Sequence, residues 1–192
     1  MVRIMAPARR ARFVEAPVCM MCDGATRDEC RLEVHRCITA YGWFIQAVEA
    51  GAHNPDWAYT VGLSAGFDHP ELIVVGLPYP DAGGLLNALG EQVRDGRRFA
   101  ACEHIHLPGG GPADLLGVDP HQFVLSTFAT WCDYYDCSAA PRPRAEALQV
   151  WMPYVTPLRL DTSRDALGAD CSNRATRRRR QRRVPNRQRR SH

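Results

Sequence analysis

The chain has no lysine, no acidic residue after Asp170 and no long apolar run. A membrane span needs about 18 or more consecutive apolar residues, so we expect no membrane partner. The N-terminal residues also lack the apolar run of about 7–15 residues that a secretory signal contains, which favours a cytoplasmic protein. Because lysine is absent, all 24 basic residues are arginine, and we attribute this to GC-rich coding rather than to a chemical demand.

The chain contains eight cysteines, and their expected state follows from the expected cytoplasmic location. A reducing cytoplasm disfavours disulfide bonds. We therefore predict that the cysteines are thiols or metal ligands and not a disulfide framework.

Charge is distributed unevenly along the 192 residues, 45% of which are hydrophobic. Residues 1–171 contain 14 arginines and 21 acidic residues, a formal charge of −7, and ten further arginines lie within 174–190. One domain is expected for this length. We predict a flexible basic arm at 1–18, an α+β domain at 19–152, and an irregular to disordered arginine-rich tail at 153–192.

The clearest element signal is a helix over residues 27–41. Thr26 and Glu29 have the spacing of a capping box, and Gly42 follows as a stop. The apolar positions recur with helical spacing at Cys30, Val34, Cys37, Ile38 and Tyr41.

The remaining elements are predicted from alternation, apolar runs and turn residues. Strands are predicted at 43–48, 57–62, 71–76, 99–107, 121–126 and 147–151, and helices at 82–95 and 128–137. Residues 64–70 are predicted as a loop and 108–112 as a flexible turn. This order favours a single α+β domain with a mainly antiparallel or mixed central sheet covered by two or three helices.

Four motifs in this order resemble a bacterial family, the domain of unknown function 4262 family. They are Cys19-x-x-Cys22-Asp-Gly, Gly42-Trp43, Tyr59-Thr-Val-Gly-Leu63 and His69-Pro-Glu-Leu72. The resemblance covers about residues 19–151, and the chain departs from the family pattern after Val150. It implies a fold and a bacterial, cytosolic origin, but no activity. Residues 152–192 are either a native extension or the product of a frameshift.

The Cys19/Cys22 pair is the first candidate metal site. Two thiolates from one knuckle can hold one zinc ion, which then needs two more ligands. Cys30 and Cys37 lie about 10 Å apart along a straight helix, so they cannot both join the pair. The ligand set that remains is Cys19, Cys22, Glu33 and Cys37.

Alternation on the predicted strand 99–107 indicates a second candidate metal site. It places Cys102, His104 and His106 on one face, with successive residues about 7 Å apart. His104 and His106 are then close enough to share a metal ion. A third ligand has to come from elsewhere, for which we consider His69, Glu71 and His121.

A third group consists of the candidate catalytic residues Tyr59, Thr60, His69 and Glu71. Histidine and carboxylate side chains at strand ends are common in acid–base catalysis. The same residues also fit purely structural roles in strands and in the turn before Pro70.

These signals favour a small cytosolic bacterial domain that binds a small molecule or a protein, without a complete catalytic set. Whether the protein is an enzyme stays open. The alternative is a metal-dependent enzyme that uses a His/Glu cluster of His69, Glu71, His104 and His106. A weaker alternative is non-specific nucleic-acid binding, because the arginines of 174–190 can contact polyanions by counterion release.

Overall fold

The structure is a computed structural model that describes residues 24–50, 55–123, 126–137, 142–153, 155 and 159–160. Its first helix, α1 (Arg27–Tyr41), has the predicted bounds. The Thr26 hydroxyl accepts the Glu29 N–H at 3.3 Å, and the Glu29 carboxylate accepts the Thr26 N–H at 2.7 Å. This capping box satisfies two amide groups that a helix N-terminus leaves unpaired. Gly42 ends the helix with a φ of 96°, which glycine adopts without a steric penalty.

One six-stranded mixed sheet forms the centre of the domain. Its strands are β1 (Phe44–Val48), β2 (Trp57–Val61), β3 (Glu71–Val75), β4 (Glu103–His106), β5 (Pro112–Gly117) and β6 (Ala147–Trp151). Their spatial order is β1-β2-β3-β6-β5-β4, in which β3 and β6 run parallel and the other neighbours antiparallel. The last strand of the sequence therefore lies inside the sheet.

Helices cover both faces of this sheet. Helix α3 (Asp81–Arg94) packs on one face, where Leu86 and Leu89 meet Leu72 and Val74 of β3. On the other face α1 and α4 (Ala129–Cys137) pack against the alternate side chains of the same strands. A short helix, α2 (Leu63–Phe67), joins β2 to β3. The predicted single α+β domain with a mixed sheet is confirmed.

Two predicted elements differ in the structure because single residues redirect the backbone. The segment 64–70 was predicted as a loop but contains most of α2, which starts after Gly62 with a φ of 123°. The strand predicted at 99–107 is reduced to β4, because Cys102 adopts a φ of 64° in a turn. Cys102 therefore does not share a strand face with His104 and His106, and that prediction is wrong.

Two further differences lie between β4 and α4. Strand β5 was missed, because it starts at a proline directly after three glycines. The strand predicted at 121–126 is wrong: the described residues form short 3₁₀ turns at Pro120–Phe123 and Ser126–Phe128. Asp119 starts the first turn, since its carboxylate accepts the His121 N–H at 2.8 Å.

Several predictions concern residues outside the described ranges, namely the arm 1–18, the Cys19/Cys22 pair and the arginines of 174–190. None of the described helices is both long and apolar enough to cross a membrane. Cys30, Cys37 and Cys132 are free thiols, but Cys102 is disulfide-bonded. The expectation that the cysteines are thiols or metal ligands is therefore wrong for Cys102.

Candidate functional sites

The carboxylate of Glu71 lies completely buried at the start of β3. Its two oxygens accept hydrogen bonds from the hydroxyls of Thr60 and Ser64, both at 2.7 Å. They also accept the backbone N–H groups of Gly62, Leu63 and Ser64 at 3.0, 3.3 and 3.2 Å. The Thr60 oxygen in turn accepts the Leu72 N–H at 2.9 Å. Glu71 thus holds together the turn between β2 and α2.

This network leaves Glu71 poorly suited to catalysis. Burial raises the pKa of the Glu71 carboxyl, and the hydrogen bonds from Ser64, Thr60 and Gly62 oppose that shift. A general base must come within hydrogen-bond reach of the proton that it removes. The Glu71 oxygens already accept five hydrogen bonds inside the protein, so they stabilise the turn instead.

Ser64 belongs to this network and was missed from the sequence. The signal that could have identified it is Gly62-Leu63-Ser64-Ala65-Gly66, which matches the Gly-x-Ser-x-Gly pattern of serine hydrolases. In those enzymes a serine sits between strand and helix, and nearby N–H groups stabilise an oxyanion. Here the N–H groups of Gly62, Leu63 and Ser64 all donate to Glu71. The turn has the sequence pattern, but its donors are occupied.

Tyr59 lies next to Thr60 in sequence but outside this network. Its hydroxyl accepts the Thr130 N–H at 3.0 Å, and its ring packs edge-on against Phe128 at 4.9 Å. Burial raises the pKa of Tyr59 to about 12. Tyr59 therefore anchors the start of α4 to the sheet. Of the four candidate catalytic residues, only Thr60 and Glu71 are brought together by hydrogen bonding.

His69 is also fully engaged by backbone groups. Its Nδ1 lies 2.7 Å from the Pro70 carbonyl, and its Nε2 accepts the Phe99 N–H at 3.0 Å. A carbonyl only accepts, so Nδ1 carries the proton and the ring is neutral. Burial lowers the pKa of His69. Both ring nitrogens have backbone partners, so His69 joins two loops and presents no free nitrogen for a base or a metal ligand in this arrangement.

We expect His69 to make the domain less stable in acid. The pKa of His69 in the folded state is below the unfolded value of 6.5, so below pH 6.5 the unfolded chain binds a proton that the folded domain does not. The contribution of neutral His69 to the free energy of unfolding is therefore complete above pH 6.5 and is lost as the pH falls. At pH 5.5 the loss can reach about 1.4 kcal/mol. Urea unfolding at pH 7.5 and 5.5 should show this decrease in wild type and a smaller one in His69→Gln. The exposed control His121→Gln should keep the wild-type decrease, and an unchanged decrease in His69→Gln would contradict the assignment.

Of the four ligands predicted for the cysteine site, the structure describes Cys37 and Glu33, which form a thiol–carboxylate pair. The Cys37 thiol donates to the Glu33 carboxylate at 3.6 Å on α1. Burial and the charge of Glu33 raise the pKa of Cys37 to about 11. Metals bind the thiolate form, so this environment disfavours Cys37 as a ligand.

His104 and His106 lie on the exposed side of β4, with buried Ile105 between them. They are separate from His69 and Glu71, which have internal partners, and from His121 in its 3₁₀ turn. Among the described residues, no three His, Cys, Asp or Glu side chains are placed to hold a metal ion. The predicted His/Glu cluster is therefore not assembled in this part of the chain.

A shallow groove of about 350 Å³ lies between α3 and the turn that joins β4 to β5. Its volume is within the usual range of about 300–1,000 Å³ for small-molecule sites. Apart from Asp81 its lining residues have no polar side-chain group that ionises, although backbone groups add polar surface; they are Leu77, Pro80, Gly84, Leu85, Ala88, Leu107, Pro108, Gly109, Gly110 and Met152. Gly109, Gly110 and Gly111 all have φ near 98°. The segment predicted as a flexible turn therefore forms the turn of the β4–β5 hairpin, and Gly109 and Gly110 line one side of the groove.

The mixed sheet, the helices on both faces and the turn closed by Glu71 define a single-domain α+β protein. The family model described as domain of unknown function (DUF4262) matches residues 37–154. This is more than half of the chain, and the protein belongs to that family. No curated protein and no solved structure matches the chain. The matched range starts after the Cys19/Cys22 motif and extends past Val150, where a departure was expected.

Proposed function

We propose that this protein is a bacterial binding domain whose ligand occupies the groove between α3 and the β4–β5 turn. The ligand we propose is a small molecule with an apolar body and one positively charged group. The composition of the groove carries this proposal, because apolar walls with a few polar groups are typical of small-molecule sites. Half-buried Leu85 and Leu107 offer apolar surface from the two opposite walls.

The positive charge of the ligand is inferred from Asp81. This exposed residue lies in the first turn of α3 and is the charged member of the lining. Within the described residues, its carboxylate has no ion-pair partner. A cationic group beside Asp81 would gain a favourable interaction that an anionic ligand would lose.

The alternative of a metal-dependent enzyme has less support, because Glu71 and His69 are engaged by internal partners. Nucleic-acid binding through 174–190 stays a prediction about residues outside the described ranges. A binding role uses the groove beside α3, which the described residues form. It needs neither Glu71 and His69 nor the arginines of 174–190.

The proposal can be tested with hexylammonium as the probe and hexanoate as its anionic counterpart. We expect hexylammonium to bind saturably in isothermal titration calorimetry and to raise the melting temperature, since a ligand specific for the folded state stabilises it. Hexanoate should bind at least tenfold more weakly. Asp81→Asn should reduce this difference by removing the carboxylate.

A groove-blocking variant locates the binding. Leu85→Arg should abolish hexylammonium binding, because the longer arginine side chain would fill the groove and its positive charge would repel the ammonium group. Leu32→Arg is the matched control, since Leu32 is 48% exposed on α1 and outside the groove lining. Equal binding of both probes, or unchanged binding in Leu85→Arg, would contradict the proposal.

A further inference from the structure

The two exposed histidines of β4 share one face of the sheet. His104 and His106 are exposed, whereas Ile105 is 4% exposed and belongs to the core beneath α3. Side chains two residues apart on a strand point the same way, with Cα atoms about 7 Å apart. Both imidazoles therefore lie on the face opposite to α3 and to the groove. This cluster is independent of the proposed ligand site.

Asp114 on the neighbouring strand fixes the orientation of His104. The two residues are directly opposite in the β4–β5 register, and Nδ1 of His104 contacts Oδ1 of Asp114. An ionised carboxylate only accepts hydrogen bonds, so Nδ1 carries the proton. The lone pair of His104 is then on Nε2, in a side chain that is 86% exposed. Metal-binding histidines are commonly held this way, by a carboxylate on the nitrogen remote from the metal.

Strand β4 lies at an edge of the described sheet, and the side chains of His104 and His106 are exposed there. This strand is the last in the order β1-β2-β3-β6-β5-β4, so among the strands that the structure describes its one neighbour is β5. Among the described residues, no third His, Cys, Asp or Glu completes a ligand set. Water or a ligand molecule would fill the other coordination positions, as in sites that are open to exchange.

We propose that His104 and His106 bind one late first-row divalent metal ion at this edge of the sheet. Imidazole suits nickel, copper and zinc ions, and Asp114 is the positioning residue. Because both ligands are exposed, the fold does not depend on them. Substitutions at these positions should leave the folded domain intact, which makes the site suitable for direct measurement.

The test is calorimetric titration of the full chain with Ni²⁺, in the absence of chelating buffers. Wild type should bind one equivalent, and His104→Ala and His106→Ala should each lower the affinity at least tenfold. Asp114→Asn should lower it about tenfold, in the range seen when such partners are removed, and Asp114→Glu should restore part of the loss. His121→Ala, at an exposed histidine in a 3₁₀ turn, is the matched control and should bind as wild type does.

Copper provides a second readout that identifies the ligands. The electron paramagnetic resonance spectrum of bound Cu²⁺ should show coupling to two imidazole nitrogens in wild type and to one in either single variant. If wild type shows no saturable Ni²⁺ binding, the proposal fails. It also fails if Ni²⁺ binding or the nitrogen coupling persists in the His104→Ala/His106→Ala double variant, because the ion would then be held elsewhere, for example by cysteines.

Discussion

Replacing Glu71 with leucine is expected to lower the free energy of unfolding by about 4 kcal/mol or more. The change removes the acceptor of five hydrogen bonds. The Thr60 hydroxyl and the N–H groups of Gly62 and Leu63 would stay buried without a partner. Each buried donor that loses its partner costs about 1–3 kcal/mol. Urea unfolding monitored by circular dichroism measures the effect directly.

A graded series separates hydrogen bonding from the loss of a charge. Glu71→Gln should cost less than Glu71→Leu, because the amide oxygen still accepts some of the donors. Thr60→Val should cost about 1–3 kcal/mol, because the Leu72 N–H also loses its acceptor. Glu49→Leu is the matched control at an exposed position and should change stability by less than about 0.5 kcal/mol. If Glu71→Leu stays within 1 kcal/mol of wild type, the structural role assigned to Glu71 is wrong.

The second large effect is expected at Gly62, where two backbone segments meet closely. Gly62 has a φ of 123°, and a Cβ there would lie 2.9 Å from the Gly42 carbonyl oxygen and 3.1 Å from the Trp43 Cα. Both contacts are with backbone atoms, which cannot rotate away. Gly62→Ala should therefore cost about 3 kcal/mol or more, since backbone strain and overpacking each add about 1–3 kcal/mol.

Gly84 provides a control with the opposite sign. It lies within α3, and a Cβ there would meet nothing within 4 Å. Gly84→Ala should stabilise the domain by about 0.5–1 kcal/mol, because alanine has the higher helix propensity. Urea midpoints of the two variants should therefore shift in opposite directions. A Gly62→Ala protein as stable as wild type would show that the two segments do not approach each other as described.

Elements that depend on nearby residues could be predicted from the sequence. Helix α1 is an example, because Thr26, Glu29 and Gly42 set its ends by local hydrogen bonds and by backbone conformation. Strand β5 could not be predicted in this way. It contains Pro112, Asp114 and Gly117, which are poor strand residues, and its conformation depends on pairing with β4 and β6.

Only part of the candidate site could be predicted, because some of its contacts join segments that are distant in the sequence. Thr60 and Glu71 belong to neighbouring segments and do meet, as their grouping suggested. Their structural role could not be predicted from the sequence, because it depends on the direction of the N–H groups of Gly62, Leu63 and Ser64, which donate to Glu71. Tyr59 and His69 were placed in the same group by residue type, but each bonds to a distant segment, at Thr130 and Phe99 respectively. Such long-range partners follow from the fold and not from the local pattern.

The central place of β6 has a consequence for synthesis on the ribosome. Strands β1 to β3 and the hairpin of β4 and β5 are made first, but they flank β6 and do not pair with each other. Until residue 151 has emerged, β3 and β5 each lack the strand that pairs with their inner edge in the folded domain. Open strand edges are the surfaces through which chains associate wrongly. The complete sheet can therefore form only after residues 147–151 have been made, so the pairing of β6 with β3 and β5 is a late step of folding.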